Sequence, residues 1–357
     1  MINIFGFMAY FIKKPKSLPK RLLIARTDRI GDFILTLPAI QAAKTQFGLH
    51  VSVLCQEAVA PLLLNNPYVD EVIAINSKAE PRQTVGMIFH YDFDAILVMV
   101  NDSNIKELLP FIKKEIPVRI GPLSKPKMAM YYNYPVLQKR SKSIQNEAEY
   151  NLELLEVFGK LETKEIRPEI YMHEAESLKA ETKIRELFPE LNPGYVVMHS
   201  GMSGSALNWP LGHYHSLLQM LVEKGIQVVL TGVGDGEKRR NKELASDVAS
   251  NVFDCSNQVT LRELAFLCSR SGLFIGPSTG PTHVANAAGA TIISFYPPIQ
   301  VQTAKRWAPY MAKGHIYQPL VNCPEKYSCK GEACPYFDCM NYPGPEEVFA
   351  KALELLG

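Results

Sequence analysis

The strongest constraint on the fold is an alternation that runs, stops and restarts. From residue 21, short apolar runs (21–26, 50–55, 71–75, 94–100, 117–121) alternate with segments of helix-compatible spacing (32–47, 57–65, 81–90, 104–113). Residues 145–159, "QNEAEYNLELLEVFG", read as an amphipathic helix with Gly159 as its C-cap. Strands alternating with helices predict a parallel sheet covered on both faces. Residues 160–194 break the pattern with charge and with Pro168, Pro189 and Pro193, around a polar helix near 174–187. The alternation then resumes, with strands at 195–201, 226–232, "NVFDC", 272–278 and 291–297 and helices at 210–224, 236–249, 260–270 and 281–289. A last helix, "GPEEVFAKALELLG", opens on proline and acids. The chain therefore reads as α/β, with two Rossmann-like doubly wound parallel-sheet domains, 21–170 and 171–343, and a C-terminal helix, 344–357. Its 357 residues exceed what one core usually serves. Two such domains facing each other enclose a cleft. Open α/β sheets bind ligands beyond the ends of their strands, so the loops 26–32, 199–208, 231–237 and 276–283 carry the functional expectation.

Composition narrows the classes. Lys plus Arg (38) nearly balances Asp plus Glu (36), which argues against general nucleic-acid binding. No apolar run reaches the roughly 18 residues that span a bilayer. Residues 1–20 begin with about eleven mostly apolar residues, followed by Lys13, Lys14, Lys16 and Lys20. A secretion signal has the opposite order, charge first. The segment suits either an interfacial anchor on an anionic membrane surface or a helix packed on the protein itself.

The loop after the first strand, "RTDRIGDFILTLPAI", crowds Arg26, Asp28, Arg29 and Asp32 around Gly31. A dinucleotide-binding turn would need G-x-G-x-x-G here, so a nicotinamide-dependent reductase is disfavoured. Asp32 opens a helix, where it either caps the turn or acts as a general base. In "GPSTGPTHVANAAGA", Ser278, Thr279 and Gly280 precede a helix that starts at Pro281. Hydroxyls and free N–H groups at that helix start suit a diphosphate. His283 lies one turn in; alone it would be structural, and its hydroxyl neighbours give it a ligand role. "TGVGDGEKRR" reads as a tight turn through Gly232, Gly234 and Gly236. Glu237 there is placed to accept from a ribose. Lys238, Arg239 and Arg240 form a solvated face from which one can reach a phosphate.

With these loops in hand, the chain resembles the ADP-heptose:lipopolysaccharide heptosyltransferase family over roughly residues 20–345. "LLIARTDRIGDFILTLPAI" is similar to its opening motif, "SRSGLFIGPSTGPTHVANAAGATIISFYPP" to its donor-site strand, loop and helix, and "CPYFDCMNYPGPEEV" to its cysteine-bearing tail. The resemblance implies a GT-B fold and inverting sugar transfer from a nucleoside-diphosphate sugar, ADP-type favoured, with no metal or other cofactor. It implies a glycolipid or lipopolysaccharide-core acceptor, and a cytoplasmic protein peripheral to the inner face of the membrane. Asp32 would be the base, and Thr279, Gly280 and His283 would take the diphosphate with Ser278. Arg26 and Arg29 would suit an anionic acceptor. Two departures stand out. Ser278 occupies a position where the family often has Asp. Leu207 and Asn208 precede Trp209-Pro210 where the family often has a phosphate-binding Lys or Arg. The small residues of "HSGMSGS", Ser200 and Gly201 among them, or a cation from Lys238, Arg239, Lys305 or Arg306, would then serve the phosphates. These losses leave open a non-catalytic sugar-nucleotide or glycan-binding relative, or a donor other than ADP-heptose.

Cys323, Cys329, Cys334 and Cys339 lack the paired short spacings of a zinc knuckle and read first as reduced packing thiols, with a structural zinc as the alternative. Cys55, Cys255 and Cys268 lie in apolar segments and read as core. His213 and His215, two apart, fall on different helix faces and make no metal pair.

Overall fold

A computed structural model describes residues 14–76, 80–202, 204, 206–248 and 250–357. The apolar part of the proposed N-terminal anchor, with Lys13, and also Ser203 and Ser205, lie outside the described residues. The chain divides into two compact units. One runs to Arg140 and resumes over Glu147–Pro168; the other comprises Ser141–Asn146 and Glu169–Gly357. Asn146 belongs to the second because its Nδ2 donates to the Ala308 carbonyl at 2.9 Å.

In the first unit the elements are β1 (Arg21–Ala25), α1 (Ile30–Ile34), α2 (Leu37–Phe47), β2 (His50–Gln56), β3 (Glu71–Ile75), α3 (Pro81–Phe89), β4 (Ala95–Val98), α4 (Ser103–Glu115), β5 (Val118–Pro122), β6 (Tyr134–Val136) and α5 (Glu147–Leu155). The sheet is parallel throughout, in the order β3-β2-β1-β4-β5-β6. The second unit holds α6 (Glu174–Leu187), β7 (Val196–Met198), α7 (Leu211–Glu223), β8 (Val228–Leu230), α8 (Gly234–Leu244), β9 (Val252–Asp254), α9 (Leu261–Ser269), β10 (Leu273–Pro277), α10 (Gly280–Ala287), β11 (Thr291–Phe295), α11 (Ala304–Trp307), β12 (Lys313–Tyr317) and α12 (Pro345–Leu356). Its sheet, also parallel, runs β12-β11-β10-β7-β8-β9. Strand burial follows position in the sheet. Central β4, β7, β8 and β10 are buried along their whole length, whereas the outer strands β3, β9 and β12 are partly open. That is the signature of parallel sheets covered on both faces.

Some helices differ from the sequence expectation. The run expected as one helix over 32–47 is two, because Pro38 has no N–H to continue the first; α2 restarts with Thr36 as its N-cap. The segment 57–65 forms only a four-residue 3₁₀ turn, Ala60–Leu63, ended near Asn65 at φ 63°. The helix expected over 145–159 stops at Leu155, so Gly159 is not its cap.

The second core is anchored by Trp209, which stacks on Phe295 at 4.4 Å and donates its indole N–H to the Pro343 carbonyl at 2.9 Å. The Trp-Pro pair thereby fixes the β7–α7 loop to the C-terminal tail. In each sheet the strand order reverses once, between β1 and β4 in the first and between β7 and β10 in the second. Such reversals open the crevices in which α/β sheets take ligands.

Candidate active site

Asp32 lies just beyond β1, beside the first reversal, in the first turn of α1. Beneath it Arg26 is 1% exposed. Its fork is held by Asp28, Nε to Oδ1 at 2.8 Å and Nη2 to Oδ2 at 2.9 Å. Nη1 donates to Glu147 Oε1 at 3.1 Å and to Asn151 Oδ1 at 3.2 Å, and Nη2 to Asp32 Oδ1 at 3.3 Å. Arg26 therefore does not face an acceptor, as the sequence suggested. Every N–H of its guanidinium is taken inside the protein, and its role is to fix carboxylates. Arg29, in contrast, is exposed and remains on the surface of this turn.

Glu147 is fully buried and also accepts from Arg140 at 2.6 Å; Asn151 ties the cluster to α1 by donating to the Leu35 carbonyl at 2.9 Å. Sequence reasoning missed both residues. A signal existed: they stand at i and i+4 of α5, polar positions on the face that buries Tyr150, Leu154 and Leu155. Desolvation raises the Asp32 carboxyl to about 7, helped by the charges of Asp28 and Glu147 and opposed by Arg26 and Arg29. Its side chain is still 20% exposed. A carboxylate that titrates near neutrality and keeps one edge open can take a proton from an approaching hydroxyl.

The second unit gathers its candidates at one end of its sheet, beyond the strands β7, β8 and β10. Beyond β10, Ser278, Thr279 and Gly280 are half-buried; Thr279 is the N-cap of α10, and its hydroxyl caps no backbone N–H but meets the Thr282 hydroxyl at 3.5 Å. Thr282 closes the turn by donating to the Pro277 carbonyl at 2.5 Å. His283 is 4% exposed, burial lowers its pKa to about 4, and its Nδ1 has no hydrogen-bond partner. It is a neutral imidazole at pH 7.

Beyond β7, the ring of buried His199 bonds to Thr231 at 3.0 Å, and fully buried Ser200 accepts from Arg240 Nε at 3.2 Å. Asn208 holds the Ser200 carbonyl at 2.8 Å. A Cβ on Gly201 would sit 2.5 Å from the Glu237 carboxyl carbon, so only glycine lets Glu237 approach. Glu237 accepts from the Val233 N–H at 2.8 Å, and Gly232 is needed for the same close approach. Of the three glycines, Gly234 is the one at positive φ, 83°. Gly276 backs onto the His199 carbonyl, so the β7 and β10 loops are neighbours.

Ser200, Gly201, Glu237, Ser278, Thr279, Gly280 and His283 thus lie at the ends of adjacent strands β8, β7 and β10. Among the described residues, no group of three or more His, Cys, Asp or Glu is arranged to hold a metal ion, and no helix is long and apolar enough to cross a membrane. All seven cysteines are free thiols; Cys55, Cys255 and Cys268 are buried, and burial pushes the first two up to about 12.

Two doubly wound parallel α/β units, each with one strand reversal, have the architecture of a GT-B glycosyltransferase. The chain belongs to glycosyltransferase family 9 (heptosyltransferase), whose model matches residues 87–333. A Haemophilus influenzae protein assigned to the glycosyltransferases is 29% identical over 303 residues, 81% of this chain and 86% of its own length. Among solved structures, a family 9 glycosyl transferase of Veillonella parvula superposes with a TM-score of 0.81 at 17% identity, covering 96% of this chain and 99% of that one. The Escherichia coli ADP-heptose lps heptosyltransferase II superposes with 0.73 at 18% identity, covering 94% and 98%. The structural likenesses speak for the fold; the family match begins after Asp32 and takes in all the candidate residues of the second unit.

Proposed function

We propose that this glycosyltransferase moves a heptose or related sugar from an ADP-type nucleoside diphosphate to a lipopolysaccharide-core or similar glycolipid acceptor, with inversion and without a metal. The observation that carries the reading is Asp32, a carboxyl raised to about 7 with an open edge beside the strand reversal. Asp32 takes the proton of an acceptor hydroxyl as its oxygen attacks the anomeric carbon from the face opposite the leaving group. The anomeric C–O bond breaks, and its electron pair leaves on the diphosphate. Charge grows on the leaving phosphates, where the Thr279 hydroxyl, the first N–H groups of α10 and the neutral ring of His283 can donate. Glu237 accepts from a ribose hydroxyl. Exposed Arg29 offers its charge to an anionic acceptor.

A lipid-bearing acceptor places the work at the cytoplasmic face of the inner membrane, with the protein peripheral to it. The sugar and base follow the name of the Escherichia coli structural neighbour. The test is a thermal-shift panel of ADP, GDP, UDP and CMP, followed by transfer assays with the matching sugar nucleotides. Stabilisation by ADP above the others and turnover of ADP-heptose are expected. Preference for UDP or GDP would replace the donor, and binding without product from any donor would favour a non-catalytic relative.

A further inference from the structure

The loop between β7 and Trp209-Pro210 carries no Lys or Arg of its own, and a neighbouring helix brings one to it. Helix α8 turns Glu237, Arg240, Asn241 and Leu244 toward the protein, at i, i+3, i+4 and i+7, while Lys238 and Arg239 point to solvent. Arg240 leans from α8, beyond β8, across to the loop after β7, where its Nε meets the Ser200 hydroxyl. Because β7 lies between β8 and β10, this direction leads toward the Ser278–Gly280 turn. No carboxylate pairs with Arg240 among the described residues. Its Nη1 and Nη2 groups are left over, and the Ser200 hydroxyl, an acceptor from Nε, still has its own proton to donate. A half-buried guanidinium without a counter-charge, beside a donor hydroxyl and one strand from a helix N-terminus, is arranged for an external dianion. The other cations are poorly placed for this. Lys305 is exposed, and Arg306 lies over the Trp307 ring at 4.5 Å.

We infer that Arg240, oriented by Ser200, is the diphosphate-binding cation of this chain. The inference rests on the nucleoside-diphosphate-sugar reading above. Asn208 steadies this arrangement: it keeps the Ser200 carbonyl in place and is itself held by the Tyr214 hydroxyl at 3.2 Å.

Titration calorimetry tests it with wild type and the variants Arg240→Ala, Arg240→Lys and Lys238→Ala. The probes are whichever of ADP, GDP and UDP binds wild type most tightly, and the matching nucleoside. Arg240→Ala should lose about 10- to 100-fold in affinity for the diphosphate, the span of one charge-assisted pair. Nucleoside affinity should be unchanged, Arg240→Lys should recover part of the loss, and Lys238→Ala should bind like wild type. Unaltered melting of Arg240→Ala without ligand would show that the loss is not misfolding. Equal diphosphate binding by Arg240→Ala and wild type overturns the inference while leaving the donor reading intact; so does an equal loss for nucleoside and diphosphate. Failure of wild type to bind any of the three diphosphates removes the donor reading and this inference with it.

Discussion

Arg26 has five N–H groups, and Asp28, Asp32, Glu147 and Asn151 supply an acceptor for each. From the sequence alone an arginine beside a carboxylate reads as a ligand contact, because nothing local announces Glu147, 121 positions away. The burial of Arg26 follows from that distant pair and could be seen only once α5 was packed. Glu147→Gln should therefore do two separable things. It removes a buried counter-charge and should lower stability by roughly 2–4 kcal/mol in urea unfolding. It also removes a negative charge acting on Asp32, so the acid limb of the pH–activity profile should move to lower pH.

Asp32 itself is held against its own ionisation. Its folded pKa, about 7, lies above the ordinary carboxyl value of 3.8, so the folded state keeps a proton that the unfolded state has lost. Stability contributed by this group is full below about pH 4 and declines as pH rises toward 7. Asp32→Asn, which mimics the protonated form, should stabilise the fold by on the order of 1–3 kcal/mol at pH 8. The gain should vanish on approach to pH 4, as read by denaturant unfolding at each pH.

At the level of elements, what was legible were the long apolar strands and the amphipathic helices. The two short outer strands β6 and β12 were not. "YPV" contains a proline, and "KGHIY" is half polar, because each lies at a sheet edge where one side needs no apolar cover. The break between α1 and α2 was readable in principle from Pro38, yet the apolar pattern continues across it. The candidate-site turns were better marked than the helices they open. Gly201 and Gly232 are small because Glu237 needs the space, so Gly201→Ala should displace that carboxylate and weaken nucleoside binding about tenfold while leaving pyrophosphate binding largely unchanged. Competition binding with the two ligands separates these effects. Helix α9 offers a control remote from the chemistry. Thr260 and Glu263 form a reciprocal capping box, and Thr260→Ala should lower stability by about 1 kcal/mol with kcat unaffected.

At the level of the whole molecule, the alternation of strands and helices was enough to give two parallel α/β units, since each strand type and each crossover obeys the same rules wherever it occurs. The strand order was not legible, and it decides where the candidate residues sit. Asp32 follows β1, and the Ser200 and Ser278 loops follow β7 and β10, the strands at which the two sheets reverse. The proposed mechanism makes the rate depend on Asp32 being ionised. The direct test is the pH dependence of kcat/KM for wild type and Asp32→Asn, with donor affinity measured in parallel. Wild-type activity should rise through a midpoint near pH 7, and Asp32→Asn should lose about 10²–10⁴-fold in kcat while binding the donor as wild type does. An Asp32→Asn enzyme that turns over at a rate comparable to wild type, or a wild-type profile flat across neutral pH, would contradict the assignment of Asp32 as the base.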